Sequence, residues 1–177
     1  MNKYVKEYRE IINNLVKKSF PSLRDKKIIV VEYPKIIFWA SGFVANYPSW
    51  NTYLIFISTK VRKQDKNLKT GILAHELCHL EFFKKTKMGL LKLLIFGIKL
   101  DISWIFGKNP ARENERQTDI QTIKKGYGKE LLLTALNRKK KFFPKRLALV
   151  YKRGYLSPEE IKQYMLKIKK NKKFNLK

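Results

Sequence analysis

Apolar positions along the chain change their period from helical to strand-like and back. From Tyr4 to Lys18 they fall at Tyr4, Tyr8, Ile11, Ile12 and Leu15 with charges between, and the run stops before Pro21, which predicts an amphipathic opening helix. Three stretches rich in β-branched and aromatic residues follow: Lys27 to Tyr33 (KIIVVEY), Ile36 to Val44 (IIFWASGFV) and Tyr53 to Ser58 (YLIFIS). Punctuated by Pro34, Gly42, Pro48 and Asn51, they predict a small antiparallel or mixed sheet. Helical spacing resumes from Asn67 to about Lys85. Asn109 and Pro110 predict the start of a helix that runs to Gly126. Leu131 to Lys141, and Ser157 to about Lys170 with its Ser-Pro-Glu-Glu opening, predict two more. Helix, strands, then helices is an α+β order.

One apolar segment interrupts this pattern. Gly89 to Gly107 reads GLLKLLIFGIKLDISWIFG and carries Lys92, Lys99 and Asp101. On one continuous helix Asp101 falls on the face opposite Lys92 and Lys99. A break near Leu100, with Asp101 as a cap and Gly107 as a stop, resolves the conflict. The segment then reads as a buried helical hairpin, an interfacial amphipathic element or, third, an inserted one.

Composition narrows the class. The 177 residues suit a single domain, divided into an opening helix (1–20), a core (25–126) and a basic helical extension (127–177). Forty Lys and Arg against fourteen Asp and Glu give a net charge of +26, while 44% hydrophobic residues are enough for a packed core, which argues against wholesale disorder. The basic residues are spread along the chain, so no specific nucleic-acid contact is expected; affinity for polyanions, whether nucleic acid or an anionic membrane surface, is the safer expectation. A single cysteine excludes an internal disulfide and Cys-rich zinc sites. The charged opening MNKYVKEYRE lacks the apolar core of a secretory signal, so a cytoplasmic setting is expected, with membrane association as an option.

The two histidines of the chain both fall in one word, His75-Glu76-Leu77-Cys78-His79. Imidazoles at i and i+4 share a helix face and can clamp one Zn²⁺ at about 2.0 to 2.1 Å. Glu76, beside the first of them, is placed to act as general base toward a water. Cys78 should point away from such a metal and pack as a small hydrophobe. A catalytic zinc needs a third protein ligand, and ARENERQTDIQTI on the later helix supplies the best candidate, Glu115. Asp119, one turn on, would then accept the free N–H of a ligand histidine. Glu113 and Asp101 compete for the ligand role, while Glu81 lies too near the motif.

His75-Glu-Leu-Cys-His79 followed by Glu115-Arg-Gln-Thr-Asp119 resembles the HExxH plus ExxxD signature of the gluzincin clan of zinc metallopeptidases. More narrowly it resembles the family of the CAAX prenyl proteases and bacterial heat-shock membrane proteases, including the small archaeal minigluzincins made as self-blocked proproteins. The resemblance implies a zincin-like fold, in which a small sheet precedes the active-site helix and the glutamate helix. It also implies His75, His79 and Glu115 as zinc ligands, Glu76 as base and Asp119 as support. The chain departs from that family in lacking clear multiple transmembrane helices and in placing Thr118 where a small residue is usual.

The functional expectation is therefore a zinc metalloendopeptidase acting on a peptide or protein substrate, with flanking segments able to occlude its cleft. A substrate strand would add to a sheet edge at Phe38 to Asn46 or Tyr53 to Ser58. With no third histidine, Tyr127, Tyr151, Arg153 and Tyr155 are the candidates for holding an oxyanion. The alternative is a basic binding module for an anionic membrane or nucleic acid with a structural or degenerate zinc site. It is favoured by Arg138 to Lys141, Lys145 and Arg146 around Phe142 and Phe143.

Overall fold

The computed structural model describes residues 2–34, 42–46, 51–86 and 110–174. The expected strand residues 36–41 and the whole of the apolar segment with Asp101 lie outside them. The chain divides into two compact units, Met1–Ile98 and Lys99–Lys177. The elements reproduce the α+β order.

In the first unit, α1 (Lys3–Ser19) opens on Asn2, whose side chain accepts the Tyr4 N–H at 3.0 Å. Its buried face is Tyr8, Ile11, Ile12 and Leu15, and a 3₁₀ turn at Pro21–Leu23 tucks Phe20 and Leu23 into the same core. Three strands follow: β1 (Lys27–Tyr33), β2 (Gly42–Asn46) and β3 (Thr52–Ser58), in the order β1-β3-β2. β3 is central and buries Tyr53, Ile55 and Ile57 on one face, with half-buried Leu54 and Phe56 on the other. It runs parallel to β1, Lys27 opposite Thr52 and Tyr33 opposite Ser58, and antiparallel to β2, Gly42 opposite Ile57. The sheet is thus mixed, one of the two arrangements the sequence allowed.

Helix α2 (Lys66–Thr86) packs on α1 and β2, and every residue from Gly71 to Leu80 is buried. Near its start Lys69 is buried too, its ammonium 2.8 Å from the Glu7 carboxylate on α1.

In the second unit, α3 (Pro110–Thr122) and α4 (Gly128–Lys141) are separated by a kinked turn at Ile123–Tyr127. Gly126 takes a φ of 97° in that turn, outside helical geometry, so the helix stops there as expected and the next one starts across a kink. A nine-residue helix α5 (Pro144–Lys152), absent from the pattern reading, precedes α6 (Pro158–Phe174). Ile120, Ile123, Leu131, Ala135, Leu156 and Ile161 form the core.

The Ser-Pro-Glu-Glu signal is realised as a reciprocal cap: Ser157 Oγ accepts the Glu160 N–H at 3.2 Å, and Glu160 Oε2 accepts the Ser157 N–H at 2.9 Å. The other oxygen of Glu160 pairs with Arg116 of α3 at 2.8 Å. Burial works against the charge on Glu160, but the Ser157 N–H and the Arg116 guanidinium outweigh it and hold the carboxyl below its usual range.

Two outcomes test this packing. A Cβ on Gly154, at φ +107°, would stand 2.0 Å from the Arg112 carbonyl oxygen, whereas one on Gly126 meets nothing within 4 Å. In denaturant unfolding, Gly154→Ala should therefore lose about 3 kcal/mol and Gly126→Ala only about 1–2 kcal/mol; equal losses would contradict the close approach. Because the Glu160 pKa is depressed on folding, its contribution is complete at neutral pH and lost as pH falls through the folded value. Glu160→Gln should accordingly flatten the acid side of the stability profile.

Candidate metal centre

The turn from His75 to His79 lies in the middle of the fully buried stretch of α2. The apolar neighbours Leu73, Ala74, Leu77 and Leu80 are at most 1% exposed, so this part of the helix sits in the core. His75, Glu76 and His79 are 6%, 6% and 7% exposed. Burying three polar groups on one turn is unfavourable unless each is satisfied, so the site calls for partners to those groups.

The imidazoles supply part of the answer. Their Nε2 atoms are 3.1 Å apart, with ring centroids 4.8 Å apart and planes crossing at 81°. One neutral ring can donate to the other at that distance. It is also close to the roughly 3.3 Å that separates two nitrogens held at about 2.05 Å by one tetrahedral ion. The pair is therefore shaped for a shared proton or a shared cation.

Glu76 borders this pair by sequence and reaches the sheet by its field: the Tyr33 hydroxyl at the end of β1 is pushed up first by burial and then by the Glu76 charge. Tyr33 is 6% exposed, and Ser58 at the matching end of β3 is its hydrogen-bond partner. Pattern reading missed Tyr33, since an aromatic closing a strand is indistinguishable from core until the parallel pairing of β1 and β3 is known. Cys78 is buried and in no disulfide, in keeping with the packing role expected of it.

In the second unit, Glu115 lies on α3 and is half-buried, while Asp119 one turn later is completely buried. Asp119 Oδ2 accepts the backbone N–H of Leu156 at 2.8 Å, a bond joining residues 37 apart in sequence. Asp119 thus has a structural duty that spacing did not reveal, tying the segment before α6 to α3. Thr118, the departure from the family pattern, is also buried and turns its hydroxyl back to the Asn114 carbonyl at 2.8 Å. Glu113, the rival to Glu115, is exposed and accepts from the Gln117 amide at 2.7 Å.

His75, His79 and Glu115 form a group that could hold a metal ion, two members buried and the third half-buried; the donors do not specify which ion. Among the expected oxyanion partners, Tyr155 carries the Arg138 guanidinium 4.7 Å over its ring, and the Tyr151 hydroxyl is pushed up first by burial and then by the Glu159 charge. Arg153 is exposed, and Tyr127 is half-buried. Among the described residues no helix is long and apolar enough to cross a membrane. No protein-family model, curated protein or solved structure matches the chain.

The bond from Leu156 gives a test of Asp119 by itself. Asp119→Ala strands a buried N–H and should cost about 1–3 kcal/mol of stability, while Asp119→Asn keeps an acceptor and most of the stability. Equal losses in urea unfolding would show that charge, and not acceptance, is what this position supplies.

Proposed function

We propose that the protein is a zinc-dependent metalloendopeptidase of zincin-like architecture, with His75, His79 and Glu115 as ligands, Glu76 as general base and Asp119 as positioning residue. The observation that carries the reading is the imidazole pair: buried, one helical turn apart, its Nε2 atoms 3.1 Å from each other, with a buried glutamate next to the first ring. A purely structural histidine pair needs no carboxylate beside it. Two neutral nitrogens and one carboxylate are the donor set of a hydrolytic zinc site that leaves a vertex open.

When bound, the ion would supply Lewis acidity toward a water and an amide carbonyl. The side chains do the rest. Glu76 takes the proton from the attacking water and hands it to the leaving amine, a relay suited to a carboxylate in a site that excludes bulk solvent. His75 and His79 would donate ring lone pairs to the ion. Asp119, with Oδ2 fixed by Leu156, is held rigidly enough to orient a ligand ring through its second oxygen. An extended substrate would lie along β2, which occupies an edge of the sheet.

Metal content and hydrolysis of a fluorogenic peptide, measured on the same samples, test these roles. One zinc per chain is expected, lost in His79→Ala and weakened in Glu115→Gln. Glu76→Gln should retain the metal while turnover falls about 10²-fold or more. Asp119→Asn should bind zinc about 10- to 100-fold more weakly. Retained cleavage in Glu76→Gln removes the assigned base, and a metal-free, active protein removes the whole reading.

A further inference from the structure

Residues 138–153, from the end of α4 through α5, carry eight Lys or Arg and no Asp or Glu. The same stretch presents apolar side chains to solvent. Phe143, at the start of α5, is 83% exposed and Leu149 is 49% exposed. α5 has no buried residue at all.

Its two faces differ. Leu147, Val150 and Tyr151 are half-buried on one, while Lys145, Ala148, Leu149 and Lys152 are exposed on the other. Leu149 therefore lies between a lysine one turn before it and a lysine three residues after it, pointing where nothing described covers it. Phe142 is only half-buried and has the Arg146 guanidinium 4.2 Å over its ring, so the two adjacent phenylalanines are treated differently: one is held and the other is offered to solvent.

We infer that this surface docks on an anionic phospholipid bilayer, with Phe143 and Leu149 entering the headgroup boundary and the flanking lysines engaging lipid phosphates. Charge complementarity selects an anionic partner. The aliphatic Leu149 and Ala148 select lipid over nucleic acid, because single-stranded nucleic acid is held by stacking on aromatic faces and Phe143 is the only strongly exposed ring of the described stretch. Lysine stems are long enough to keep their ammonium groups among the headgroups while the leucine between them sits deeper. The inference uses nothing from the metal group and stands or falls separately from it.

Flotation of the full chain with vesicles of phosphatidylcholine, with and without phosphatidylserine, tests it. Binding should require phosphatidylserine and weaken as salt is raised. The double variant Phe143→Ser, Leu149→Ser keeps every charge and should lower partitioning onto anionic vesicles by about tenfold or more. Leu133→Ser, which removes a 41% exposed leucine outside this stretch, should leave partitioning unchanged. Lys145→Gln with Lys152→Gln, exposed positions whose replacement leaves the core intact, should weaken binding and its salt dependence together. Circular dichroism establishes that each variant is folded. Equal vesicle binding by the double serine variant overturns the inference, as does a loss of binding to polyuridylate with vesicle binding intact.

Discussion

Desolvation of the His75–His79 turn is the constraint on which the first unit depends. Two imidazoles and a carboxylate sit in a helix whose adjacent leucines are all but sealed from water. Each buried polar group left unsatisfied would cost about 1–3 kcal/mol, a large share of the margin by which a domain of this size is folded. A 3.1 Å approach of the ring nitrogens relieves part of that cost by itself. A cation relieves more, because it takes a lone pair from both rings at once and gives the nearby carboxylate an opposite charge to face. A positive charge between the two rings would suit such a turn, which is the physical argument for the metal reading beyond the motif match.

The second unit handles buried polarity by a different route. Asp119 and Thr118 are spent on backbone groups, Ser157 and Glu160 cap α6 reciprocally, and Arg116 fastens that cap to α3. Gly154 lets the chain pass within contact of the Arg112 carbonyl just before the segment that Asp119 grips. These bonds concentrate around α3, the helix that bears Glu115. By contrast α5 is joined only by half-buried side chains and leaves its basic, apolar outer face to solvent.

What could be read from the sequence was local. The KIIVVEY strand has the bounds its β-branched run suggested, the opening helix begins and ends within a residue of its apolar periodicity, and the Ser-Pro-Glu-Glu cap formed as its spacing required. The histidine pair was equally legible, since i and i+4 on a helix leave little freedom. What escaped was non-local or compensated. Parallel pairing of β1 with β3 depends on contacts between strands separated by a third, which no single run encodes. Helix α5 was hidden because it is short and its start lacks a Ser, Thr, Asp or Asn cap. The stop at Gly126 was legible too, since its positive φ breaks the helix there, but the next helix starts within two residues, earlier than its apolar run suggested. The bond from Leu156 to Asp119 and the Lys69–Glu7 pair join residues far apart in sequence, so spacing could nominate Asp119 for a role but not reveal the one it already performs.

X-ray absorption at the zinc edge on the full chain, purified with the metal it acquires, tests the central claim most directly. The account predicts a four-coordinate first shell of light atoms at about 2.0–2.1 Å, with the outer-shell scattering of two imidazoles and no sulfur. A shell containing sulfur near 2.3 Å, or one without imidazole scattering, would contradict it.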